Sequence, residues 1–204
     1  MIKFRKKGAN PLKKIRIRPD GVLWLTLLLL FMRSYVPAYL SAVLVHELGH
    51  LLFLRFSGKK IGRIELGISG LTIISDGINS YRTQFWVSLA GPLFSVIFFL
   101  LFRSVFPTAS LLSLLLGTVN LLPLSELDGY GIMSAVLFSK FSLTAAERVL
   151  TVCDALSLGV LCTVSVFSLV VTRCNVSALI FTACIFWKLF FEKGSVKTLH
   201  SGRR

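Results

Sequence analysis

The chain has 204 residues, of which 54% are hydrophobic and 16% are charged, and its mean hydropathy is +0.78. This composition is typical of an integral membrane protein and does not fit a soluble globular domain. The formal net charge of +14 would also suit a nucleic-acid-binding protein, but the basic residues cluster at the ends of apolar runs, as membrane topology requires. We therefore expect contact with the lipid bilayer and no nucleic-acid partner.

The first 18 residues form a basic tail with eight Lys or Arg and no acidic residue. We expect this tail to stay in the cytoplasm against anionic lipid. No cleavable signal peptide is predicted, because no small-residue cleavage site follows the first apolar run. That run, residues 22–32, corresponds to about 16 Å of helix against a hydrocarbon core of about 30 Å. It spans the membrane only if the helix extends back to Pro19 and forward through Arg33.

The second apolar segment begins near Pro37 and carries His46, Glu47 and His50 in the pattern His-Glu-x-x-His. On a helix this spacing places both imidazoles on one face, where they can bind one divalent metal ion, with zinc the expected ion. Glu47 can then accept a proton from a water molecule at the metal. An ionisable residue at mid-bilayer costs roughly 3 kcal/mol, which zinc binding, on the order of 10 kcal/mol in peptides, would offset. The apolar setting therefore predicts a metal-binding helix within a membrane bundle.

Residues 61–74 differ from their surroundings, because they mix β-branched side chains with regularly placed glycines. This pattern predicts short strands and turns rather than a helix. One interpretation is a plain cytoplasmic hairpin. The other is a sheet edge beside the metal that pairs with an extended substrate peptide through Ile64, Leu66 and Ile68.

The rest of the chain contains four further apolar segments, which we predict to be membrane-spanning helices: residues 85–106, 109–127, 149–171 and 176–191. Between the second and third of these segments, Lys140, Glu147 and Arg148 are expected on a cytoplasmic loop.

The distribution of basic residues predicts the orientation. In this topology only Arg33, Arg103 and Arg173 lie outside, and both termini lie in the cytoplasm, which requires an even number of spans. We therefore expect an all-α polytopic membrane protein of about six transmembrane helices, with a short β-hairpin or strand region after the metal-binding helix. Its membrane domain would comprise residues 19–191, between basic cytoplasmic tails at 1–18 and 192–204.

A catalytic zinc ion takes three protein ligands and keeps one position for water, so a third ligand must come from another segment. Asp128 is favoured because it lies at the cytoplasmic end of the segment 109–127, level with the histidines, after a stretch broken by proline. Glu126 would point elsewhere if the backbone there is helical. Asp154 is expected to make a structural hydrogen bond, and His200 in the polar tail is expected to be solvated.

Asn120 places a polar amide inside an apolar run. It would either make a hydrogen bond between helices or hold the substrate strand or the oxyanion near the metal. We group Asn120 with Pro123 as candidate substrate-binding residues.

These motifs resemble those of the site-2 proteases, which are intramembrane zinc metalloproteases. The matching stretches are His46-Glu47-Leu48-Gly49-His50, Gly91-Pro92-x-x-Ser95 and Asn120-x-x-Pro123-x-x-x-Leu127-Asp128-Gly129. With the order of the apolar segments they cover about residues 20–190, and the compact plan looks most like the bacterial branch that includes the sporulation sigma-factor processing protease. The chain departs from the family pattern at Ser95, where many members have Asn, and at Tyr130, where many have a second Gly.

The resemblance implies that His46, His50 and Asp128 bind one zinc ion and that Glu47 is the general base. It also implies a cytoplasm-proximal site in a bacterial cell membrane and regulated cleavage of a membrane-associated protein in or near its transmembrane segment. A regulatory membrane partner or a homo-oligomer is a further expected partner.

Two other functions are considered. A divalent-metal transporter would need polar residues along a path through all segments, whereas the ionisable groups gather here at one depth. A catalytically silent membrane scaffold would not need the intact Glu47.

Overall fold

The computed structural model describes residues 33–58, 80–125 and 127–172, together with the backbone of four short strands. The predicted spans 22–32 and 176–191 and the tail 192–204 lie outside the described residues, so the prediction of six spans is not tested.

Five helices form the described bundle: α1 (Val36–Phe56), α2 (Tyr81–Phe102), α3 (Pro107–Asn120), α4 (Asp128–Lys140) and α5 (Leu143–Thr172). By length and composition, α1, α2 and the stretch Leu143–Ser168 of α5 can each cross a membrane. The 14 residues of α3 correspond to only about 21 Å of helix, less than the bilayer core of about 30 Å.

The first three helices pack on one another, α4 packs on α2, and α5 packs on α4. Their contacts are made by small residues, which let backbones approach closely, as is common in membrane bundles. A Cβ added at Gly49 of α1 would lie 2.6 Å from the carbonyl oxygen of Ala90 in α2, and one at Gly117 of α3 would lie 2.7 Å from Cβ of Ser95. Large apolar side chains such as Leu44 and Leu101 instead point outward, toward the expected lipid.

The stretch after Asp128 is helical rather than an irregular loop, while its location on the cytoplasmic side stays a prediction. Lys140 is the last residue of α4, and Glu147 and Arg148 lie in α5, which begins at Leu143 rather than at residue 149. The amide Nε2 of Gln84 in α2 supports α4 by donating hydrogen bonds to the carbonyl of Gly131, at 3.2 Å, and to Ser134 Oγ, at 2.9 Å. The apolar pattern of α4 alone does not reveal this support.

The predicted span 109–127 is also shorter than expected. Helix α3 ends at Asn120 and is followed by an irregular stretch, the 121–127 loop, of which every residue except Glu126 is described. Pro123 cannot continue a helix because it lacks a backbone N–H. Leu124 and Leu127 of this loop are buried in a small apolar cluster, so the loop is part of the packed interior.

Four strands are described at the level of the backbone: β1 (Ile2–Phe4), β2 (Ile15–Ile17), β3 (Lys60–Gly67) and β4 (Gly70–Asp76). They form one sheet in the order β1-β4-β3-β2, in which β3 and β4 are antiparallel and the two N-terminal strands pair in parallel at the edges. The N-terminal 18 residues are predicted from sequence only as a basic tail, so these two strands are a difference from that prediction.

Candidate metal centre

Three buried side chains from distant parts of the chain meet inside the bundle. Asp128 Oδ2 lies 2.9 Å from His46 Nε2 and 3.1 Å from His50 Nε2. Each of the three residues is at most 2% exposed, and their ligand atoms all lie within 4.8 Å of one another. In the part of the chain that the structure describes, this is the one group of three His, Cys, Asp or Glu side chains with such spacing.

The two elements that carry these ligands explain their positions. Both histidines lie one turn apart on the inner face of α1, with ring centroids 5.0 Å apart and ring planes at 81°. Asp128 is the first residue of α4, after Leu127 in an extended conformation that turns the chain inward. A carboxylate in the first turn of a helix is also stabilised by the helix dipole.

The second nitrogen of each imidazole contacts α2. His50 Nδ1 donates a hydrogen bond to the carbonyl oxygen of Val87 at 2.8 Å, and His46 Nδ1 lies 3.0 Å from Ser95 Oγ. A carbonyl oxygen can only accept, so His50 carries a proton on Nδ1 and presents the electron pair of Nε2 to the site. Such partners fix the tautomer and the orientation of metal-binding histidines.

The geometry fits a cation held between these groups. An electron pair on His50 Nε2 faces an oxygen of Asp128 at 3.1 Å, and two electron pairs at this distance repel unless a proton or a metal ion lies between them. Tetrahedral zinc with bonds of 2.0–2.1 Å separates its ligand atoms by about 3.3 Å, close to the distances found here. Two imidazole nitrogens and one carboxylate oxygen are a donor set that zinc accepts with a fourth position open.

Gly91 of α2 leaves the space that such an ion needs. A Cβ at this position would collide with His50 Nε2 and lie 2.8 Å from His46 Nε2. Any residue other than glycine would therefore occupy the region in front of both ligand nitrogens.

Glu47 lies between the two histidines in sequence and is only 4% exposed. Its Oε2 is buried, and no hydrogen-bond partner for it lies among the described residues. A buried carboxylate oxygen without a protein partner is costly, and this one is adjacent to the metal ligands, where a water molecule or substrate can supply the hydrogen bond.

The remaining candidate residues lie apart from this cluster. Asn120 is mostly buried, and one N–H of its Nδ2 donates to the carbonyl of Leu116 in the same helix at 2.9 Å. Its role in substrate binding stays a prediction. Pro123 lies in the 121–127 loop, and its role in substrate binding stays a prediction. Asp154 makes the predicted structural hydrogen bond, which it accepts at Oδ1 from the backbone N–H of Ser125 at 2.8 Å.

The strand residues proposed to bind substrate belong to β3 or follow it. Ile64 and Leu66 are paired in register with Ile15 and Ile17 of β2, so this edge of β3 carries the chain's own N-terminal strand. Ile68, Glu126 and His200 lie outside the described residues.

Sequence reasoning missed the contacts that orient the ligands. Ser95 entered only as part of a motif, although it lies four residues after Gly91 and therefore on the same face of α2. That spacing would have placed its hydroxyl near the histidines. The contact of His50 with the Val87 carbonyl has no sequence signal, because a backbone oxygen is present at every residue.

Comparison with known proteins identifies the family. The peptidase M50B-like family model matches residues 21–127, which is half of the chain. The chain belongs to this family, that of the site-2 proteases. The sequence-based assignment is therefore confirmed.

The chain has one sequence match and one structural match from Methanocaldococcus jannaschii. The zinc metalloprotease MJ0392 is 30% identical over 148 residues, which cover 66% of this chain and 41% of that protein. The chain thus spans about two-fifths of the length of this curated relative. A solved structure described as a site-2 protease matches with a TM-score of 0.66 at 23% identity, over 85% of this chain and 87% of that chain. The described chain therefore has the site-2 protease fold, as an integral membrane protein.

Replacing Gly91 by alanine is expected to weaken zinc binding by more than about tenfold, because the added methyl group occupies the space in front of both ligand nitrogens. The measurement is zinc affinity of the detergent-purified protein by chelator competition. The matched control is Gly159→Ala in α5, where an added Cβ meets no described heavy atom within 4 Å. Equal affinities for the two variants would contradict this account of the site.

Removal of the hydroxyl in Ser95→Ala is expected to weaken zinc binding by about tenfold, since it leaves the His46 ring without the partner at Nδ1 that orients it. The same competition assay measures the effect. Ser110→Ala serves as control, because Ser110 is equally buried but donates its hydrogen bond within its own helix turn, to Pro107. A wild-type affinity for Ser95→Ala would show that the serine does not orient the ligand.

Proposed function

We propose that this protein is a zinc-dependent intramembrane endopeptidase that hydrolyses peptide bonds in or near the transmembrane segment of membrane-associated proteins. The convergence of His46, His50 and Asp128 around one point, with the Glu47 carboxylate beside them, supports this proposal most strongly. Membership of the site-2 protease family supports it independently. The same family membership favours a role in regulated proteolysis, with cleavage controlled by a membrane partner or by self-association.

In this proposal His46 Nε2, His50 Nε2 and a carboxylate oxygen of Asp128 hold the zinc ion. A bound zinc ion supplies Lewis acidity, which activates a water molecule and polarises the scissile carbonyl. Ser95 and the Val87 carbonyl keep the two imidazoles oriented with their electron pairs toward the ion.

Glu47 performs the proton transfers. Its unpartnered Oε2 accepts a proton from the attacking water while the water oxygen bonds to the carbonyl carbon. The carboxyl group then donates this proton to the amide nitrogen as the carbon–nitrogen bond breaks. The products are a carboxylic acid and an amine, and Glu47 returns to its ionised form.

The proposed site lies toward the cytoplasmic side of the membrane. His46 lies at the middle of α1 and His50 in its second half, whose last turn contains Arg55. Val87, the partner of His50, lies in the first half of α2, near Arg82, and Ser95 lies just past the middle of that helix. Tyr81 of α2 contacts Phe138 near the end of α4, so Lys140 lies at this same end of the bundle. A concentration of basic residues at one end is typical of the cytoplasmic side, from which water can reach a shallow site.

A membrane-spanning substrate helix has its carbonyl groups in hydrogen bonds and must unwind before it can be cleaved. Strand pairing would replace those bonds. A substrate strand at Ile64 and Leu66 would take the place of β2, which occupies this edge of β3 in the structure.

The variant Glu47→Gln tests the proposal. It keeps the size of the side chain and leaves the three ligands intact, so zinc content should stay at the wild-type level, whereas cleavage should fall by about 10²-fold to 10⁴-fold. The assay co-expresses tagged single-span membrane proteins with wild type or variant and measures chelator-sensitive fragments. Glu147→Gln, at an exposed glutamate of α5, should cleave like wild type. Wild-type turnover by Glu47→Gln would refute the general-base role, and no cleavage by any form would favour a silent scaffold.

The third ligand is tested by Asp128→Asn. The amide keeps the shape of the side chain but removes the charge, so zinc affinity should fall by more than about a hundredfold. Chelator competition on the purified protein measures this loss without any substrate. Retention of wild-type affinity would exclude Asp128 as a ligand and would require another acid, such as Glu126, in its place.

A further inference from the structure

One further buried carboxylate of the described residues lies in the membrane bundle outside the metal centre. Asp154 is on α5, within the stretch of that helix that can cross the bilayer, and is only 4% exposed. An ionisable side chain inside a membrane-spanning helix is energetically costly, so such a residue usually has a function. Asp154 does not belong to the group of His46, His50 and Asp128.

The Asp154 carboxylate holds the loop that leads to the third ligand. Its Oδ1 accepts a hydrogen bond of 2.8 Å from the backbone N–H of Ser125, three residues before Asp128. A hydrogen bond to an ionised acceptor in an apolar interior is about twice as strong as one between neutral groups. This hydrogen bond, which we call the Asp154 anchor, holds the backbone of the 121–127 loop and does not involve the side chain of Ser125.

The same face of α5 supports this loop by apolar contacts. Leu158 and Leu161 follow Asp154 by one and two helical turns, and they pack against Leu124 and Leu127 on either side of the anchored N–H. Helix α5 thus holds the loop with one polar and two apolar contacts, although it provides no ligand of the metal centre itself.

The loop has little freedom to absorb a displacement. The Leu127 N–H donates to the carbonyl of Leu124 at 2.8 Å, and α4 then begins at once with Asp128. A Cβ at Gly129 would collide with the carbonyl of Leu121, so the end of α3 and the start of α4 are in direct contact. A shift at Ser125 is therefore transmitted to Asp128.

We propose that Asp154 is a positioning residue for Asp128, which sets the metal affinity of the site through the 121–127 loop. This inference rests on the proposed function, because it takes Asp128 as a zinc ligand. Metal bonds tolerate displacements of only about 0.2 Å, so loss of the anchor should lower affinity without removing any ligand.

The test compares Asp154→Leu with Asp154→Asn. Leucine removes the acceptor, whereas asparagine keeps an oxygen that can accept from the Ser125 N–H. We expect zinc affinity by chelator competition to fall by about 10-fold to 100-fold in Asp154→Leu and to recover to within about fivefold of wild type in Asp154→Asn. The visible absorption of the cobalt-substituted protein, which reports ligand geometry, should change in the leucine variant only.

A merely structural role predicts a different pattern. Leucine removes the cost of a buried charge, so it would then leave affinity and the cobalt spectrum unchanged, and that result would overturn the proposal. Ser157→Ala, which removes a buried hydroxyl of α5 whose hydrogen bond stays within the helix, should match wild type in both assays. If the leucine variant fails to accumulate in membranes, Asp154→Ala, which also lacks the acceptor, is measured in the same assays with the same decisive outcomes.

The outcome is separable from that of the proposed function. Zinc affinity and the cobalt spectrum need no substrate, so a wild type that binds zinc but cleaves nothing would refute the protease proposal and leave the role of Asp154 open to this test. If the Asp128→Asn variant binds zinc as tightly as wild type, Asp128 is not a ligand, and that result would refute this inference as well.

Discussion

The structure depends on one oxygen atom placed between two imidazoles. Asp128 Oδ2 lies about equally far from the two Nε2 atoms of His46 and His50, and each of the three residues is at most 2% exposed. Each of these groups alone would be unfavourable in an apolar bundle. Together they form a set of electron-pair donors that suits a bound cation, so the burial of these groups and the proposed affinity for a metal ion have the same physical origin.

The helices that build the site are arranged to permit this contact. Two glycines on facing helices, Gly49 and Gly91, allow α1 and α2 to approach until α2 backbone and side-chain oxygens reach the histidine rings. In a membrane, where apolar side chains gain nothing by leaving lipid, small residues and satisfied polar groups must hold helices together. The small residues that let α1 and α2 pack closely therefore lie on the same helix faces as the histidines and the oxygen atoms that contact them.

The ligands are supported unequally. His46 and His50 lie on one continuous helix and are oriented by the neighbouring helix, so their geometry follows from α1 and α2 alone. Asp128 instead follows an irregular loop, and the position of that loop depends on α5.

Much of the site is predictable because the residues that indicate it lie close together in the sequence. The spacing of His46 and His50 determines their common face on a helix, and the apolar setting predicts a membrane bundle. The choice of Asp128 over Asp154 followed from depth and a proline break. The structure agrees with that choice: Asp128 joins the histidines, and Asp154 makes a hydrogen bond to a backbone N–H.

What the sequence determined by itself was therefore the metal-binding helix, the membrane setting and the protease family. Tertiary structure decided the hydrogen bonds from Gln84 that hold the helix from Asp128 to Lys140 against α2, and the contacts that orient the two histidines. The physical reason is that helical periodicity and hydropathy are properties of neighbouring residues. A hydrogen bond from a distant amide, or to a backbone carbonyl, leaves no pattern until the chain has folded.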